Sequence, residues 1–103
     1  MKAIIGGMRY DTAKAELVAE YWNGFATDHF DYLEEKLYVT SNGAWFLAGE
    51  GGARTRYAAA RGGSVHGSSA ITPVSPDRAR QWLEQHNHMA ELEQHFGDSL
   101  VDA

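Results

Sequence analysis

The chain contains no cysteine, only two prolines, no long apolar run and, beyond residue 80, no lysine or arginine. The first absence excludes a disulfide framework, a thiol nucleophile and a cysteine-type zinc site. It also accords with a reducing cytoplasm, which is the expected location. No segment approaches the ~20 apolar residues of a membrane-spanning helix. Met1 to Gly6 is too short an apolar run for a secretory signal. A soluble protein without membrane contact is expected. What the chain does contain is aromatic area. Three Trp, five Tyr and four Phe in 103 residues can offset the entropy of ordering one hydrophobic core. The expectation is a single domain over residues 1–103.

Charge is unevenly placed. Residues 1–80 balance nine Lys/Arg against nine Asp/Glu, so the net charge of −5 comes entirely from Glu84, Glu91, Glu93, Asp98 and Asp102. A second acidic stretch, from Asp11 to Glu50, holds Asp11, Glu16, Glu20, Asp28, Asp31, Glu34, Glu35 and Glu50 against Lys14 and Lys36. Between the two, residues 51–76 carry Arg54, Arg56 and Arg61 and no acid. Such fields steer encounters with partners rather than determine a fold. The acidic majority argues against direct nucleic-acid binding, which needs a dominant basic footprint.

Local patterns point to an α+β fold with an antiparallel sheet of three to four strands, flanked by about three short helices. Leu37–Thr40 and Ala44–Ala48 are rich in β-branched and aromatic residues and flank Ser41-Asn42-Gly43. That pattern predicts a hairpin over 37–48. Its first arm reads as starting near His29, with Leu37 and Val39 facing the core. Residues 13–22 fit either a helix or an alternating strand; the strand is the better reading, because a hairpin needs a third strand for stability. Met8 to Asp11 reads as extending or beginning that sheet. Arg54 to Arg61 reads as a short helix closed by Gly62-Gly63, with 65–69 as loop and 70–74 as a short edge segment carrying Pro73. Ser75 as N-cap, Pro76 at the first helical position and Asp77 near the dipole open the clearest helix. Ala79, Trp82 and Leu83 are its apolar stripe. Met89 to Phe96 forms the last helix.

The candidate chemical motifs are weak beside their plainer readings. His88, Glu91 and His95 share a helical face that has the donor types of a zinc site, but lack the His-Glu-x-x-His pattern and read as a solvated face. The glycines at 49–52 lack the Lys-Ser/Thr of a phosphate loop. Ser64, Ser68 and Ser69 near His66 have no nucleophile-elbow pattern. No catalytic residue, metal ligand or cofactor is expected. Glu34 and Glu35 alternate across a strand, so only one of them faces inward.

Arg9-Tyr10-Asp11-Thr12, the block Gly43 to Gly52 with Tyr57, and Pro73 to Trp82 resemble a family of short bacterial proteins carried by phages, plasmids and other mobile elements. That family includes anti-CRISPR proteins. The resemblance implies a non-catalytic inhibitor whose partner is a subunit of a CRISPR effector complex such as a type I (I-C) complex; a monomer is the default expectation. CRISPR effectors hold nucleic acid in basic channels. An acidic surface formed by Glu16, Glu20, Asp28, Asp31, Glu34, Glu35, Glu84, Glu91 and Glu93 would occupy such a channel and exclude DNA. The rival readings are an antitoxin-like regulatory module and a small enzyme using histidines and carboxylates.

Overall fold

A computed structural model describes all residues, 1–103. Four strands form its central antiparallel sheet, in the order β3 (Glu16–Trp22), β4 (Leu33–Val39), β5 (Trp45–Gly51) and β8 (Ser68–Val74). Two separate hairpins flank it: β1 (Lys2–Ile5) with β2 (Met8–Asp11), and β6 (Ala59–Arg61) with β7 (Ser64–His66). Two helices follow, α1 (Pro76–Gln85) and α2 (Met89–Phe96), and then a 3-10 turn over Gly97–Ser99. The mixed α/β class agrees with the sequence reading. The helix count does not, since two α-helices are present rather than three.

The missing helix is the one expected over 54–61. Its backbone makes only three-residue turns, Thr55 N–H to the Gly52 carbonyl and Ala58 N–H to the Thr55 carbonyl. The Thr55 hydroxyl also accepts the Tyr57 N–H at 3.2 Å, a local bond that competes with helix. Beyond it, Gly62 and Gly63 have φ of 55° and 81°. Both lie in the left-handed region and make the tight turn of the β6–β7 hairpin rather than a helix cap. Val65, expected in a loop, lies in β7, and the edge segment begins at Ser68 rather than at residue 70. The 13–22 ambiguity resolves as strand from Glu16 onward, with a register shift between Leu17 and Ala19. Met8 to Asp11 pairs with Lys2–Ile5 and stays outside the central sheet.

Strand alternation and the helical stripe build the core together. Ala19, Leu37, Trp45 and Leu47 line one face of the sheet and pack against Ala79, Trp82 and Leu83 of α1 and Leu92 of α2. Leu37, Leu83, Trp82 and Phe46 are essentially inaccessible. Burying each such side chain stabilises the fold by about 1.5–3 kcal/mol. Ser75 Oγ accepts the Arg78 N–H and opens α1 as expected. Asn87, at φ 61°, closes it, and His88 N–H reaches back to the Leu83 carbonyl.

On the opposite face, Tyr10 of β2 stands edge-on to Phe46, which stacks on Tyr38 at 5.2 Å. That hairpin covers only part of the face. The molecule is flat and elongated, with extents of 49 × 33 × 19 Å and a radius of gyration of 14.9 Å, against about 13 Å for a close-packed chain of this length. Twelve large hydrophobics are exposed, nearly as many as the thirteen apolar residues in the core. No helix is long and apolar enough to cross a membrane.

Candidate partner-binding surface

The adjacent acids Glu34 and Glu35 part company at β4. Glu35 faces the helices and is only 3% exposed. Its Oε2 accepts the Tyr57 hydroxyl at 2.6 Å and pairs with Arg56, while its Oε1 accepts the Trp82 indole N–H at 3.1 Å. Arg56 also donates to the Tyr57 hydroxyl and lies over its ring. Burial pushes the Tyr57 phenol pKa up, against the opposing pull of Arg56. The polar node ties the 52–58 loop, the sheet and α1 to one carboxylate. Glu35 therefore leaves the set of surface acids expected from the sequence.

Gly49 makes the node possible. It lies opposite Glu35 on the same face of the sheet, and a Cβ there would overlap the Tyr57 hydroxyl. The glycine-rich stretch thus serves close packing of a neighbouring loop rather than a phosphate.

Glu34 faces the other way. It stands directly opposite Glu50 of β5, and the Tyr32 hydroxyl lies 2.8 Å from Glu34 Oε2 and 2.6 Å from Glu50 Oε1. Like charges so placed repel one another. One phenol proton serves only one carboxylate at a time, so the pair remains short of positive partners. Burial, followed by hydrogen bonds to Glu50 and Glu34, raises the Tyr32 pKa well above the ordinary tyrosine value. Lys36 sits 3.8 Å from Glu34 and 3.6 Å from Glu20. Three carboxylates and the Lys36 ammonium thus share the open face, with Trp22 exposed beside them and the N-terminal ammonium of Met1 held by Thr12. Glu34 and Glu50 border a concavity of about 230 Å³ under the N-terminus. Glu50 and Tyr32 also border a larger one, about 520 Å³, which His29 and His66 share.

The remaining expected acids are spread over other surfaces. Asp31 pairs with Arg54 at 2.9 Å, and Glu84 with Arg80 at 3.3 Å along α1. Asp28 is exposed in the 23–32 segment and borders the larger concavity. Glu16 approaches His95 at 3.6 Å, and His88 donates from Nε2 to the Glu20 carbonyl at 3.0 Å, so α2 runs beside the β3 edge. Glu91 shares the α2 face of those two histidines, whereas Glu93 is fully at the surface. His88 and His95 are thus each engaged with a different part of β3, and no three metal-ligating side chains meet. No hydrogen bond joins His66 to Ser64, Ser68 or Ser69. Tyr32 and Lys36 stand beside Glu34 through simple alternation along one segment, whereas Glu50 is brought opposite it only by the pairing of β4 with β5.

No family model matches this chain, and neither a curated protein nor a solved structure matches it.

A second aromatic cluster surrounds His86. His86 stacks on Tyr21 at 3.9 Å and meets Trp82 edge-on at 4.7 Å. Burial, followed by His88 and Arg56, lowers its pKa. The folded state thus favours the neutral ring. Its contribution is complete above the unfolded-state value of about 6.5 and falls as the pH drops from there through the folded value. A His86→Phe variant keeps the stacking and removes the titration. Its urea midpoint is expected to change less between about pH 7.5 and pH 5 than that of the parent. Equal acid losses in the two proteins would assign the effect elsewhere.

Proposed function

We propose that the protein is a non-catalytic inhibitor module that lays its acidic open sheet face on a basic protein surface and keeps nucleic acid from it. The observation that carries this reading is the Glu34–Glu50 pair. Two carboxylates stand directly opposed on an accessible sheet face with one phenol between them, and the nearest lysine, Lys36, is shared between Glu34 and Glu20. A lysine or arginine from a partner supplies the positive charge that this arrangement lacks. Trp22, exposed beside the pair, adds the kind of aromatic contact enriched at protein interfaces. Together with the family resemblance, this makes a CRISPR effector subunit the partner of choice, since such complexes present strongly basic channels.

The surface is narrower than the full acidic set. Glu35 is buried and Asp31 is paired with Arg54, so Glu20, Glu34 and Glu50 form the centre. Glu91 and Glu93 lie on different faces of α2, apart from the open sheet face.

The test is DNA binding by a purified type I effector complex in the presence of the protein. Inhibition is expected at low salt and relief at high salt, because exposed charges are screened within about 8–10 Å near physiological ionic strength. Glu34→Lys combined with Glu50→Lys should weaken inhibition by about tenfold or more, equivalent to about 1.4 kcal/mol. Glu91→Lys with Glu93→Lys should have a smaller effect. Inhibition undiminished by the first pair would exclude the open face, and no inhibition at any salt concentration would remove the effector complex as target.

A further inference from the structure

Backbone groups in an antiparallel sheet alternate between neighbouring strands, so their direction can be followed from one edge to the other. At the two ends of the β4–β5 ladder, Thr40 N–H donates to the Ala44 carbonyl at 2.8 Å and Gly52 N–H to the Tyr32 carbonyl at 2.9 Å. The hydrogen-bonded pairs between β4 and β5 are accordingly Tyr38–Phe46, Lys36–Ala48 and Glu34–Glu50. Trp45, Leu47 and Gly49 turn their backbone toward β8, opposite Val74, Thr72 and Ala70. The alternate residues of β8, namely Ser69, Ile71 and Pro73, direct theirs away from the sheet. Pro73 fits this geometry because an outward nitrogen needs no hydrogen.

The outward groups of Ser69 and Ile71 meet no turn or loop backbone bond. The other edge of the sheet is partly covered, since the outward Glu20 carbonyl on β3 accepts from His88 and Glu16 lies 3.6 Å from His95 of α2. Native edges are commonly guarded by charged side chains, bulges or prolines. Over Ser68–Val74 there is no charge, and the single proline stands near one end. Two concavities adjoin the edge. One, of about 320 Å³, is bordered by Arg56, Tyr57, Ala59, Ala70 and Thr72. The second, of about 300 Å³, brings Arg61 and His66 beside Ser68. No acid lines either one. Arg61 is exposed and forms no ion pair, and Arg56 is 47% exposed despite its bond to Glu35.

We infer that the free edge of β8 is a strand-addition site for an extended, acidic segment of a partner polypeptide. Main-chain bonds to Ser69 and Ile71 supply affinity, and carboxylates at alternate positions reach Arg61 and the exposed side of Arg56. Charge selects this occupant over a second copy of the chain, because edge-to-edge pairing of two β8 strands brings the arginines of both copies to one seam. The site lies at the sheet edge, apart from the acidic open face, and does not rest on the proposed inhibitor function.

The experiment uses a blocked peptide of alternating glutamate and valine, seven residues long to match β8, with a lysine–valine peptide as its counterpart. Amide hydrogen exchange of the full chain is followed by NMR. The glutamate peptide is expected to slow exchange at Ser69 and Ile71 and leave Ala70 and Thr72, already bonded to β5, unchanged. The lysine peptide should bind at least about tenfold more weakly. Ile71→Pro removes one outward donor and should abolish protection with the far-UV spectrum retained. Should that variant fail to fold, Arg61→Glu, at an exposed position, is expected to reverse the preference between the peptides. Absence of protection at millimolar peptide, or equal binding of both peptides, would overturn the inference. So would protection that grows with protein concentration without peptide, which would give the edge to a second copy.

Discussion

Glu35→Ala is expected to lower the free energy of unfolding by about 3–5 kcal/mol, the usual cost of breaking a buried ion pair by removing one partner. Three donors depend on that carboxylate: the Tyr57 hydroxyl, the Trp82 indole and Arg56. Its removal leaves the first two inside the protein without an acceptor and opens a cavity between the 52–58 loop and α1. Small proteins have about 5–15 kcal/mol in all, so the loss approaches the limit of stability. Glu35→Gln keeps an acceptor for one donor but removes the charge that Arg56 requires, and an intermediate loss is expected. Glu34→Ala, one residue away on the open face, should cost less than about 1 kcal/mol, since it relieves repulsion with Glu50. Urea denaturation of the three variants decides the matter. A Glu35→Ala loss no larger than that of Glu34→Ala would show that the node does not hold the loop to the sheet.

Gly49→Ala acts on the same node from the other side. The added methyl would occupy the space of the Tyr57 hydroxyl, so either the tyrosine leaves Glu35 or the strand shifts. Overpacking of this kind costs about 1–3 kcal/mol, and the broken hydrogen bond to a charged acceptor adds about 1.5–3 kcal/mol. The mechanism predicts strong coupling. In a Tyr57→Ala background the space is vacant, and Gly49→Ala should then cost under about 1 kcal/mol. Equal costs in both backgrounds would mean that the glycine is needed for its backbone and not for the ring above it.

Several elements are legible because their signals are local. The 37–48 hairpin follows from two β-rich arms around Asn42-Gly43, and α1 from a cap, a first-turn proline and an apolar stripe, all within a few residues of each other. The 54–61 segment misleads for the opposite reason. Its composition suits a short helix, but Tyr57 gains a buried carboxylate and a glycine-lined place on the sheet by leaving helical geometry. Those partners, Gly49 and Glu35, lie on two different strands, beyond any local pattern. The separate β1–β2 hairpin has a similar cause: Tyr10 finds Phe46 across the sheet.

The acidic surface shows the same division. Charge content and the alternation of Glu34 and Glu35 are properties of the chain itself, and alternation alone requires one of them to face inward. Which one faces inward depends on the pairing register, and that register also puts Glu50 opposite Glu34 and Gly49 opposite Glu35. Strongly periodic strand and helix segments, the aromatic capacity for a core and the excess of carboxylates are all properties of the chain alone. Packing is what sets which carboxylates meet solvent, which are taken by Arg54 or Arg56, and which outward backbone groups of the sheet find a partner. Periodicity and capping act between near neighbours, whereas charge compensation and edge closure depend on contacts that exist only once distant segments have packed.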